Sequence, residues 1–104
     1  MSKGHLIQSV FFTLKDSSQD KTQSLIDDCY RYLGGAEGII SLHAGPRVAE
    51  LDRDVNDSDF HVALIVIFQD RQSHDAYQTV EDHQTFVDRN EANWEQVRVF
   101  DANS

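Results

Sequence analysis

Apolar and polar residues alternate over residues 5–14, HLIQSVFFTL. Gln8, Val10, Phe12 and Leu14 fall on one side of an extended chain and Ser9, Phe11 and Thr13 on the other, which predicts a first strand. The period then lengthens. Leu25, Ile26, Cys29, Tyr32 and Leu33 form one helical stripe that stops at Gly34 and Gly35, and Ser17 three residues before Asp20 supplies a capping-box kind of start. Residues 39–44 read as a short second strand, bounded by Gly38 and by Gly45 and Pro46. Residues 47–59 hold four aspartates and an asparagine with little apolar content, so a long solvated loop is expected there. Residues 60–68 are the most apolar strand, with Phe60, Val62, Leu64, Val66 and Phe68 on one face and Ala63, Ile65 and Ile67 on the other. Helical spacing returns behind Asp70 with Ala76, Tyr77 and Val80, and again over residues 83–93 with Phe86, Val87 and Asn90 leading to Trp94. The QVRVF run closes the chain as a strand over residues 95–101.

The order β, α, β, β, α(α), β predicts an α+β domain with the ferredoxin-like split βαβ plan: a four-stranded antiparallel sheet carrying its helices on one face. A single domain over residues 1–104 is expected. The opposite sheet face would then expose Ala63, Ile65 and Ile67 with Phe11 and Phe100, an apolar patch that soluble monomers seldom tolerate. Removing several hundred Å2 of such surface from water, at about 25 cal/mol per Å2, drives pairing strongly. The simplest remedy is a twofold homodimer in which two sheets close face to face into an α/β barrel.

Charge narrows the range of partners. Eighteen acidic against nine basic side chains give a formal charge of −9, and that field repels phosphate backbones and anionic lipid headgroups. Nucleic acid and membrane surfaces are therefore not expected partners. The longest apolar run, residues 62–68, is far short of the roughly 20 residues of a membrane span. One cysteine, no basic-then-apolar leader and no disulfide pair make a cytoplasmic location the default expectation.

Four stretches carry a family resemblance. QSVFFTLKD, FHVALIVIF, AYQTVEDHQTFV and WEQVRVFD resemble, in order and spacing, the stress-responsive A/B barrel (Dabb) domain over nearly the whole chain. The resemblance implies ferredoxin-like dimers whose two four-stranded sheets form a barrel. It also implies, by similarity to a plant polyketide cyclase of that family, a pocket between sheet and helices in which histidines and tyrosines promote an intramolecular aldol condensation. On this reading His83 matches the catalytic histidine after the second helix and Tyr77 a pocket tyrosine. The histidine that opens strand one in most of the family falls on Gln8, with His5 three residues too early and on the opposite face. The histidine of strand three falls on Val62, with His61 beside it pointing to the other side of the sheet.

Other residues have plainer readings. Asp52, Asp54 and Asn56 have the spacing of calcium-loop ligands, but Asp57 stands where a glycine is needed and Ala63 where a bidentate Glu belongs, so no EF-hand is read. His43, His61 and His74 lack zinc-ligand spacing and suit surface or interface roles. Cys29 on the helical stripe reads as a small buried hydrophobe, and Trp94 and Phe100 as core or interface anchors. No phosphate loop or dinucleotide fingerprint is present, so neither a metal nor a cofactor is expected. Two functional expectations follow. One is a homodimer that binds a small organic molecule in a mainly apolar pocket lined by Gln8, Val10, Phe12, Tyr77 and His83, with or without cyclase- or isomerase-like proton transfer. The other is a non-catalytic, stress-associated dimer in which Tyr77 and His83 only satisfy backbone groups and the acidic loop at residues 50–59 serves as a partner or solubility surface.

Overall fold

The computed structural model describes residues 4–104, and in it the alternating segment Leu6–Leu14 becomes strand β1. Three more strands follow, β2 (Ile39–Pro46), β3 (Val62–Phe68) and β4 (Trp94–Asn103), and they form one antiparallel sheet in the order β2-β3-β1-β4. Helix α1 (Gln19–Asp28), which runs on into a π-helical turn at Cys29–Leu33, connects β1 to β2. Helices α2 (Arg71–Tyr77) and α3 (Glu81–Asn90), with a 3-10 turn at Glu91–Asn93, connect β3 to β4. This is the split βαβ architecture of the α+β class.

Register sorts the strand residues into two faces. Val10 lies opposite Leu64 and Val99, Phe12 opposite Val62 and Val97, and Gln8 opposite Val66 and Asp101, so all nine share one side of the sheet. That side meets the helices. Phe12, Val62, Val66 and Phe68 pack there against Leu25, Cys29, Leu33, Tyr77 and Phe86 in one buried core. Each large side chain so buried contributes roughly 1.5–3 kcal/mol. Alternate residues Ile7, Phe11, Ala63, Ile65 and Ile67 are only half-buried, and Phe100 is exposed. Phe11 stands edge-on to Phe60 and Phe100, with ring centroids 5.1 and 5.9 Å away, so the uncovered face carries a row of aromatic rings.

Local chemistry adjusts several boundaries. The cap of α1 is Ser18, not Ser17: its hydroxyl accepts from the Lys21 N–H, while the Asp16 carboxylate accepts from the Ser18 N–H and turns the chain into the helix. Pairing of β3 with β1 begins at Val62 rather than Phe60, since beyond Phe12 the next free N–H of β1 is taken by a side chain. There the Leu14 N–H donates to His61 Nδ1 at 2.9 Å. Helix α2 stops at Tyr77, since Val80 takes an extended conformation and becomes the cap position of α3. Gly38 enters β2 at φ +86°, where a Cβ would also overlap the Ser73 side chain.

The helices are tied to each other and to the edge strand. Buried Asp28 accepts from Arg89 Nε at 2.9 Å and Asn90 Nδ2 at 3.0 Å, clasping α1 to α3. The Tyr30 hydroxyl accepts from the Ala44 N–H and donates to the Ala44 carbonyl, occupying backbone groups that edge strand β2 would otherwise leave open. Among the described residues no helix is long and apolar enough to cross a membrane.

Candidate ligand cavity

Tyr77 is the last residue of α2 and His83 the third of α3, and the short turn between them folds both rings beneath the sheet. Their centroids lie 4.8 Å apart at an interplanar angle of 73°, an edge-to-face contact. Phe68 of β3 holds Tyr77 from the other side, with centroids 5.0 Å apart. The two rings border a cavity of about 190 Å3. Gln8, Val10 and Phe12 of β1 form its roof, Val97 and Val99 of β4 its open flank, and Leu33, Phe86, Val87 and Trp94 most of the rest. Val97 and Val99 line the cavity yet stay partly exposed, so the cavity opens beside β4.

The structure thus places all five residues singled out as site candidates, Gln8, Val10, Phe12, Tyr77 and His83, around one cavity. Burial pushes the Tyr77 phenol far above its ordinary pKa, so it stays protonated and keeps a hydrogen to donate. Burial also lowers His83, which leaves its imidazole neutral and able to accept a proton at pH 7. A retained acid and a free base therefore sit side by side in an apolar lining, the separation of protonation states on which acid–base chemistry depends.

His74 is the functional candidate that sequence reasoning missed. It is not a surface histidine, since its side chain is 15% exposed and its Nε2 lies 3.2 Å from Gln8 Nε2. Nδ1 lies 3.0 Å from Asp75 Oδ1, and the ring stands edge-on to Phe68 at 5.3 Å. The signal was available, because position 74 precedes Tyr77 by three residues and so shares its face of α2. His61 also leaves the surface group by accepting from the Leu14 N–H, whereas His43 is exposed.

The remaining candidates take structural places. In the acidic loop the Asn56 side-chain oxygen accepts from both the backbone and Nε of Arg53. Among the described residues no group of three His, Cys, Asp or Glu side chains is placed to hold a metal ion. Cys29 is fully buried, and burial with neighbouring Asp28 pushes its thiol up to about 12, too high for a nucleophile at neutral pH. Trp94 belongs to the core and cavity wall, packed on Phe12 at 5.1 Å, while Phe100 lies on the open face.

The profile of the stress responsive A/B barrel domain matches residues 7–104, which spans all four strands and all three helices apart from Leu6 at the edge of β1. The chain belongs to this family. The A/B barrel domain described above has the same fold as a Dabb family protein from Mesorhizobium loti, with a TM-score of 0.79 at 22% identity over 96% of each chain. A dimeric ferredoxin-like protein of unknown function from Thermobifida fusca gives a TM-score of 0.82 at 10% identity, covering 100% of this chain and 94% of the other. The hydroxynitrile lyase of Passiflora edulis gives 0.80 at 17% identity, covering 99% and 95%. No curated protein matches the sequence. For the A/B barrel domain, likeness at these identities establishes the fold.

Proposed function

We propose that this A/B barrel domain works as a homodimer that binds a small, mainly apolar carbonyl compound in the cavity beneath β1 and moves a proton on it. The observation that carries this reading is the edge-to-face pair of Tyr77 and His83 at 4.8 Å, with opposite protonation tendencies, on the wall of an otherwise apolar cavity. His83 accepts a proton from the carbon next to the carbonyl. The C–H electron pair moves into the carbonyl, and the Tyr77 O–H donates a hydrogen bond to the oxygen as it gains charge. Return of that proton from His83 to the opposite face of the carbon, or to a conjugated carbon, gives isomerisation. Attack of the enolate carbon on a second carbonyl of the same molecule forms the ring bond, and the resulting alkoxide takes the proton back from His83. The hydroxynitrile lyase among the proteins of this fold, which is an enzyme, supports a catalytic reading. The dimer is supported by the dimeric neighbours and by the uncovered apolar face.

The test needs no knowledge of the natural substrate. Acetophenone in deuterated buffer, followed by proton NMR, is expected to exchange its methyl hydrogens faster with the wild-type protein than with His83→Ala, and Tyr77→Phe should slow exchange by roughly 10- to 1000-fold. A thermal-shift screen of aromatic ketones and acids measures binding separately, because a ligand that binds only the native state raises the melting temperature. Binding without exchange would remove the catalytic step and leave a binding protein. Neither binding nor exchange would leave the non-catalytic dimer as the function.

A further inference from the structure

Gln8 is a polar side chain in an apolar roof, 7% exposed, and its two ends are treated differently. Its amide nitrogen faces His74 Nε2 at 3.2 Å, whereas among the described residues no hydrogen bond reaches its carbonyl oxygen. The far end of this chain decides which way the amide points. An ionised carboxylate only accepts, so the 3.0 Å contact between Asp75 Oδ1 and His74 Nδ1 requires the proton on Nδ1. Arg71 Nε, 2.9 Å from the same carboxylate oxygen, helps keep Asp75 ionised, and Asp75 is correspondingly held below the usual carboxylate range, chiefly by its hydrogen bonds from His74 and Arg71. With its proton on Nδ1 the ring presents a lone pair at Nε2, and the Gln8 amide nitrogen at 3.2 Å answers it, since only the NH2 end of the amide can donate. Asp101, across β4, comes no nearer to Nε2 than 3.8 Å, beyond hydrogen-bond range. Phe68, the contact from β3, has no polar atom to compete.

From this geometry we infer that Asp75 and His74 act as positioning residues that orient the Gln8 amide, so that its carbonyl oxygen faces the cavity and selects ligands bearing a hydroxyl or N–H at that end. The inference deepens the proposed function, on which it rests, by naming a second polar feature of the ligand. Tyr77 donates to an acceptor on the ligand, and Gln8 accepts from a donor on it. The ligand class is then a compact hydroxylated carbonyl compound, or its enol, with an apolar body. A buried acceptor left without a donor costs binding free energy, so the selection works against ligands that lack the hydrogen as well as for those that carry it.

Phenol, anisole and toluene test this, since a cavity of this size suits a benzene-sized ring. Trp94, the one tryptophan of the chain, lines the cavity and reports binding by fluorescence excited at its red edge. Toluene measures the cavity alone, and the phenol-to-anisole ratio measures the acceptor. The wild-type protein is expected to bind phenol about five- to tenfold more tightly than anisole. Gln8→Leu should bring the two within roughly twofold while toluene still binds. Asp75→Asn, at an exposed position that leaves the core untouched, should shrink the preference without changing toluene affinity, because an amide can face Nδ1 with either end. Equal binding of phenol and anisole to the wild-type protein, a preference for anisole, or a preference that survives Gln8→Leu overturns the inference while toluene binding keeps the cavity reading alive. Failure of all three probes to bind overturns both.

Discussion

At the scale of single residues, burial decides what each titratable group can do. Tyr77 and Cys29 are both driven upward by desolvation, but the phenol lies on a cavity wall and the thiol does not, so only the first has a chemical use. His83 is shifted the opposite way because burial disfavours the cation. The sign of its effect on stability follows. The unfolded chain binds a proton to this histidine near pH 6.5, the folded chain only at lower pH, so its contribution is complete above about 6.5 and is lost as pH falls toward the folded value. In urea titrations His83→Gln is therefore expected to flatten the decline of stability as pH falls below about 6.5 relative to wild type. An unchanged slope would show that the imidazole is not desolvated. The pair itself was visible in the sequence only as a likeness to known family members, since residue spacing does not report a contact between two rings on different helices.

Elements are set by periodicity, and their ends by local hydrogen bonds. The stripe through Leu25, Ile26, Cys29 and Leu33 identifies α1 because these side chains must share a buried face, and all four do. Its start was misplaced by one residue, since Ser17 and Ser18 are equally good caps in sequence and only Asp16, accepting from the Ser18 N–H, distinguishes them. Ser18→Ala should lower the unfolding free energy by about 1 kcal/mol in chemical denaturation, and Ser17→Ala should change it by less than about half that amount. The third strand illustrates a different limit. Phe60 and His61 continue the apolar alternation, yet His61 uses its ring nitrogen on the Leu14 N–H, so the ladder yields to a side chain at that point.

Over the whole molecule the sheet has one face committed to helices and one face open. Ile65 and Ile67 in β3, Phe11 in β1 and Phe100 in β4 lie on the open side, and the edge-on rings of Phe60, Phe11 and Phe100 extend it across three adjoining segments. Arg98 lies among them, paired with Asp57 at 2.9 Å, which places one loop aspartate at the rim of this face. A second copy seated there would bury the patch. Sedimentation velocity is expected to give a dimer for the wild-type chain and a monomer for Ile65→Lys, because a charge at that position must be desolvated in the interface. A well-behaved wild-type monomer at high concentration would remove the barrel from the proposed function.

The sequence alone determined the order of elements, the face of the apolar residues inside the strands and the surplus of apolar surface that asks for a partner. It could do so because backbone geometry turns spacing along the chain directly into side-chain direction. Phe60, expected on the face of Val62 and Leu64, instead packs on Phe11 of the open face, because it lies before the first paired residue of β3 and the alternation no longer binds it. Tertiary structure alone decided the cavity and its polar end. The contacts of Gln8 with His74, 66 positions apart, and of Leu14 with His61, 47 apart, depend on strand register and on where α2 crosses the sheet, and no local period encodes either.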